Sequence, residues 1–151
     1  GLGRRANNMA NSWIEAAMYF PFQLNMAIAP GYEPDQQLLA LALQSGAKIF
    51  LTHDPKLAVD GANYIYADVW ASMGQEGEAE QRRAAFAGIY QVNEKLLGAA
   101  NEGCMVQHCL PAHRGEEITA EVLEAHAAEI FDEAENRLHA QKAVMVALLK
   151  E

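Results

Sequence analysis

Apolar residues recur along this chain at two periods, and the two alternate from one end to the other. Residues 9–20 (MANSWIEAAMYF) carry a helical spacing, whereas 22–29 (FQLNMAIA) is a short, nearly continuous apolar run that predicts a buried strand. A second helix is predicted from Pro34, a residue suited to a first helical position. The series Leu38, Leu39, Leu41 and Ala42 follows, with Gly46 where a C-cap is wanted. KIFLT (48–52) predicts a second strand, and Asp54-Pro55 opens a brief helix ending near Gly61. NYIYADVW (63–70) is rich in aromatic and branched residues and predicts the third strand.

Residues 79–98 predict one longer helix, with Phe86, Ile89, Tyr90, Val92 and Leu96 along a face. CMVQHCL (104–110) predicts a fourth strand, and Thr119 is placed to cap a short helix. A last helix over 131–150 carries Phe131, Ala134, Leu138, Met145 and Leu148 on one side. Strands alternating with helices predict an α/β fold: a doubly wound, Rossmann-like parallel sheet with helices on both faces. Such a domain ordinarily starts with a strand feeding its first glycine loop. Here GLGRRANNMANSW runs straight into a helix, so the first strand is expected to be missing and the sheet to be open near its middle. The chain reads as part of a larger protein.

With 151 residues, half of them hydrophobic, and no linker or internal repeat, residues 1–151 are expected to form a single domain. A formal charge of −9 argues against nucleic-acid or anionic-membrane partners. The two cysteines, Cys104 and Cys109, make no disulfide framework and suit a reducing, cytoplasmic setting. Within one extended strand their α-carbons would lie about 16 Å apart, too far to be bridged.

In open α/β sheets ligands sit beyond the carboxyl ends of the strands. Those ends carry Pro30-Gly31-Tyr32, His53-Asp54, Asp68 with the Ala71-Ser72-Met73-Gly74 loop, and His108 to Arg114. Alternation along the fourth strand points His108 and Cys109 to opposite sides, which weakens a zinc site built from His108, Cys109 and His113. No metal and no cofactor are expected. GLGRRA matches a dinucleotide-binding pattern, yet neither the preceding strand nor an acidic residue after MAIA accompanies it. Cys104 reads as an inert buried thiol, while Cys109 is either a packed thiol or a group facing the rim. Asp68 suits a cationic ligand group, or else a turn. Arg137 is open between a surface pair with Glu133 and a phosphate clamp. His113, His126 and His139 read as surface or supporting residues.

Taken together, Asn7-Asn8, PGYEPD, DVWASMGQE, HCLPAHRGEE and FDEAENRLHAQKAVMVALL resemble the second, amino-acid-binding half of the ornithine carbamoyltransferases. The resemblance runs from Asn7 to nearly the end of the chain. It implies transfer of a carbamoyl group from carbamoyl phosphate to the δ-amine of L-ornithine, giving citrulline and phosphate, a step of arginine biosynthesis. It also implies roles for individual residues. Asn8 would bind the α-carboxylate end of ornithine and Asp68 its α-amino group, with Ser72 and Met73 on a closing loop. Cys109 would stand beside the reacting amine and help take its proton, with Asp68 close by. The Leu110 carbonyl and Arg137 would contact carbamoyl phosphate, and His108 and Pro111 would set the strand-end geometry. The family's partner elements are a carbamoyl-phosphate-binding N-terminal domain with a Ser-x-Arg-Thr-Arg loop, and a homotrimer. Where the family usually reads Gly-Asp-Gly-Asn-Asn, this chain has Gly-Leu-Gly-Arg-Arg-Ala before Asn7. The 151-residue chain alone is expected to turn over no substrate. A carbamoyltransferase for a related amine such as putrescine, and a non-catalytic binding or assembly module, are the alternatives.

Overall fold

The computed structural model describes residues 8–71, 77 and 79–150. Within them the order is α1 (Asn8–Tyr19), β1 (Gln23–Ala27), α2 (Gln36–Gln44), β2 (Lys48–Thr52), α3 (Pro55–Val59), β3 (Tyr64–Ala67), α4 (Ala79–Phe86), α5 (Glu94–Leu97), β4 (Met105–His108), α6 (Ala120–Ala125) and α7 (Ala127–Leu149). No described helix is long and apolar enough to cross a membrane.

Local chemistry sets most boundaries. Pro34 precedes α2 and does not occupy its first position; Asp35 is the N-cap, its carboxylate accepting from the amides of Gln37 (2.8 Å) and Leu38 (2.9 Å). The helix ends as Gly46 turns to φ 90°, with Gly46 N–H on Leu43 O and Ala47 N–H on Ala42 O at 3.1 Å, which satisfies two terminal carbonyls. Asp54 caps α3 with Pro55 in the first turn, and Thr119 caps α6 through the Val122 amide.

All ladders are parallel. β1 pairs with β2 from Gln23↔Lys48 to Ala27↔Thr52, and β3 with β4 from Tyr64↔Met105 to Ala67↔His108. Among the described residues no ladder joins β1 to β3, so the predicted interruption takes the form of two separate strand pairs. The Trp13 indole of α1 spans them, lying edge-on to Phe22 (5.9 Å between centroids) and to Tyr66 of β3 (5.3 Å).

β4 has its second edge covered by side chains. The Val106 amide donates to Glu129 Oε2 at 3.0 Å, and the His108 amide to Glu133 Oε2 at 3.1 Å. These carboxylates lie one turn apart on α7 and do for β4 what a further strand would do. Beneath them Val106, Ile118 and Ile130 are fully buried, with Ile65, Val92, Leu96 and Val122 around them.

Two predicted elements differ. The helix expected over 79–98 is broken: Gly88 adopts φ 76°, and Val92 leaves helical geometry to bridge Ile118. The Val92 amide donates to Glu117 O (2.8 Å) and its carbonyl accepts from the Thr119 amide (3.0 Å), after which Asn93 caps α5. Helical spacing cannot register this pull from residues 25 positions away. In α7 the core-facing residue is Ile130, whereas the predicted stripe is exposed, with Phe131 at 61% and Leu148 at 79%.

Glu129→Ala leaves the Val106 amide without its acceptor and is expected to destabilise the protein by about 1.5–3 kcal/mol, with Glu129→Gln in between. The midpoint of urea unfolding measures it, and an unchanged midpoint would show that water replaces the carboxylate.

Candidate functional site

Extending the β3–β4 register one step past Ala67↔His108 sets Asp68 opposite Cys109. The side chains meet there, with Cys109 Sγ donating to Asp68 Oδ1 at 3.0 Å. Asp68 Oδ1 also accepts from the Val69 amide at 2.8 Å, which fixes the carboxylate at the strand end. Both residues are half-buried. Tyr66, on the same strand face as Asp68, hydrogen-bonds through its hydroxyl to Glu133 and touches Cys109. Burial, then the Glu133 carboxylate, holds the Tyr66 phenol above its ordinary range.

Cys109 is kept a thiol. Burial is the first cause, followed by donation to Asp68 and the charge of Asp68, and together they push its pKa up to about 12. A cysteine poised for attack needs the opposite surroundings, so this geometry suits proton handling and positioning. Cys104 is also a free thiol and lies partly buried against the core, where desolvation and then the Glu129 charge raise its pKa.

The turn after Cys109 is built on a buried pair. His108 points away from Cys109, as alternation requires, and is fully buried. Its Nδ1 accepts from the Leu110 amide at 2.9 Å, so the ring proton sits on Nε2, which donates to Glu117 Oε1 at 3.0 Å. Glu117 Oε1 also accepts from the His113 amide at 2.6 Å. These bonds hold Leu110 at φ 50°, a left-handed conformation unusual for leucine, and the Leu110–Pro111 peptide is cis. Leu110 thus sits at the same rim, directly after Cys109.

On the other strand pair, the Tyr90 hydroxyl lies 3.1 Å from Ile28 O and 2.9 Å from His53 O, and His53 Nδ1 lies 2.7 Å from Ile28 O. Tyr90 thus ties the carboxyl ends of β1 and β2 together. Its ring packs on Phe86, which also meets Tyr32 and Trp70.

The structure therefore brings Asp68, Cys109 and Leu110 together. Asn8 is exposed as the first residue of α1, and Arg137 is exposed on α7; the structure joins neither to the pair. Glu133, weighed from sequence as an ion-pair partner of Arg137, instead serves β4 and Tyr66. Ser72 and Met73, like the GLGRRA segment, lie outside the described residues. Sequence reasoning missed Tyr66, Glu117 and Glu133. The two-residue spacing of Tyr66 from Asp68 was a usable signal, whereas nothing in the sequence tied Glu117 or Glu133 to β4.

Comparison with known proteins adds three findings. The family model for the Asp/Orn-binding domain of aspartate/ornithine carbamoyltransferase matches residues 2–148. The ornithine carbamoyltransferase of Nitratidesulfovibrio vulgaris is 63% identical over 139 residues, covering 92% of this chain and 46% of that protein. Among solved structures, the anabolic ornithine carbamoyltransferase of Campylobacter jejuni superposes with a TM-score of 0.91 at 36% identity, over 95% of this chain and 48% of that one. The Pyrococcus furiosus ornithine carbamoyltransferase gives 0.83 at 47% identity, over 93% and 46%. The chain spans about half the length of the curated relatives it matches.

The thiol supplies a direct check. Folding stability falls with pH between the ordinary thiol value of 9.0 and about 12, because the folded protein holds this proton more tightly than the unfolded chain. Asp68→Asn removes the neighbouring charge and is expected to lower the Cys109 pKa, with about a tenfold gain in thiolate for every unit it falls. Alkylation by iodoacetamide at pH 8 should accelerate accordingly, and an unchanged rate would show that Asp68 does not control the thiol.

Proposed function

The chain belongs to the aspartate/ornithine carbamoyltransferase family, through its Asp/Orn-binding domain, and from that premise we propose that it supplies the ornithine-binding half of an ornithine carbamoyltransferase. The reaction joins carbamoyl phosphate and the δ-amine of L-ornithine into citrulline and phosphate. The observation that carries this reading is the 3.0 Å contact of Cys109 Sγ with Asp68 Oδ1 at adjacent strand ends.

The chemistry follows from the amine. Ornithine's side-chain nitrogen is mostly ammonium in water, and only its neutral form has a lone pair to attack the carbamoyl carbon. Asp68 offers a fixed negative charge to an ammonium group, here the α-amino group of ornithine. Cys109, protonated through its bond to Asp68, orients the δ-amine and passes its proton towards that carboxylate. No covalent enzyme intermediate is needed. Attack gives a tetrahedral intermediate, which expels phosphate. Asn8 takes the α-carboxylate end of ornithine, Ser72 and Met73 close over the amino acid, and the Leu110 carbonyl and Arg137 meet carbamoyl phosphate.

The rest of the enzyme is part of the proposal. A carbamoyl-phosphate-binding N-terminal domain faces the rim, and three copies assemble in the cytoplasm. The exposed apolar side of α7, from Phe131 to Leu149, is a surface on which that domain can pack. The relatives' names favour ornithine over putrescine as substrate.

Citrulline formation by the intact protein tests this. Asp68→Asn and Cys109→Ala are each expected to lower kcat/KM for ornithine by about 10²–10⁴-fold, while the 151-residue chain alone gives no citrulline. Full activity in Asp68→Asn, or a preference for putrescine in competition, would overturn the assignment.

A further inference from the structure

Glu117 has a second carboxylate oxygen that the strand-end turn does not use. The residue is 2% exposed. Oε1 carries both of its hydrogen bonds, from His108 Nε2 and the His113 amide. Oε2 is fully buried and has no hydrogen-bond partner among the described residues. His108 Nε2 and the His113 amide both donate to Oε1, so Oε2 is left without compensation. A buried oxygen in that state is costly unless something positive or a donor meets it.

What faces it is a set of metal-type ligands. His113 Nδ1 lies 3.8 Å from Glu117 Oε2, too far for a hydrogen bond. It is close to the separation of two atoms bound to one ion, since bonds of about 2.0–2.2 Å allow ligands up to roughly 4.2 Å apart. Glu116 contributes a carboxylate oxygen, and one ligand atom from each of His113, Glu116 and Glu117 lies within 4.8 Å of the others, so an ion must draw the set slightly closer. The side chain of His113 is half-exposed, which leaves the open side of the cluster to solvent. We propose that His113 Nδ1, Glu117 Oε2 and a carboxylate oxygen of Glu116 form a binding site for a divalent transition-metal ion of the zinc class.

One imidazole with two carboxylates suits Zn²⁺ or Co²⁺ better than Mg²⁺ or Ca²⁺, which favour all-oxygen shells. The set differs from the one weighed in the sequence, because His108 and Cys109 both point elsewhere and Glu116 and Glu117 take their place. Arg83 is a competitor: its guanidinium pairs with Glu116 Oε1 at 2.9 Å, and the ion must share or displace that pair. Occupancy would brace Glu117, and through His108 the turn that follows Cys109. The site stands independently of the carbamoyl-transfer reading, since none of its three ligands is assigned to a substrate.

Isothermal titration of Zn²⁺ into the intact protein tests it, in a Cys109→Ser background so that the rim thiol does not contribute. One equivalent per chain is expected, and a bound Co²⁺ should give a visible d–d absorption band. His113→Ala, whose side chain is half-exposed and carries none of the turn's hydrogen bonds, should keep its metal-free circular dichroism. It should bind Zn²⁺ about 10–100-fold more weakly and lose the cobalt band. Arg83→Gln should tighten binding by releasing Glu116. No saturable equivalent of Zn²⁺, or unchanged affinity in His113→Ala or Arg83→Gln, would overturn the assignment.

Discussion

The carboxylate of Glu117 is the hinge on which the rest of this architecture turns. It is buried and accepts from both the His108 ring and the His113 amide. Its own backbone carbonyl accepts from Val92, so one residue fixes β4, the turn after it and the start of α5. Removing one partner leaves the other's buried polar atom unpaired, at about 1–3 kcal/mol. The Leu110 amide donates into the same network through His108 Nδ1, which fixes that residue at φ 50°.

The same use of carboxylates recurs at the strand edge. Two parallel pairs replace a continuous sheet in the described residues, and edge amides must find acceptors outside the ladders. At β4 those amides go to Glu129 and Glu133, and α7 becomes part of the sheet's bonding without being a strand. Glu133 then reaches Tyr66, which touches Cys109. Secondary-structure bonding and the candidate site share the same side chains, so the rim is rigid for the reason that the fold is.

Rigidity of this kind decides what the thiol can do. A cysteine next to a fixed carboxylate, in a half-buried site, holds its proton and attacks nothing at neutral pH. Orientation and proton transfer, the roles proposed for it above, are compatible with those surroundings. Elsewhere on the described rim, the Tyr90 hydroxyl is paired with the Ile28 and His53 carbonyls. Those groups act as scaffold, whereas Asp68 and Cys109 form the candidate pair at the ends of β3 and β4.

The order of elements was legible because it depends on local spacing. Asp54-Pro55, Thr119 and Gly46 each act over a few residues and are found where they were read, whereas the apolar period located the elements but misjudged 79–98 and the buried face of the last helix. The opposite facing of His108 and Cys109 followed from strand alternation, and the position of Asp68 at a strand end placed it on the rim. The break at Gly88, the exposed stripe of α7 and the assignments of Glu117, Glu129 and Glu133 were not legible. Glu129 and Glu133 bond across 23 and 25 positions, to Val106 and His108, and Glu117 reaches the His108 ring across 9. Even the meeting of Asp68 and Cys109 spans 41 positions. By itself the sequence determined which residues would be strand, helix and rim, because backbone propensity and alternation are local. Only the tertiary structure decided which carboxylate meets which amide, thiol or imidazole, because a hydrogen bond is satisfied by proximity in space and leaves no period along the chain.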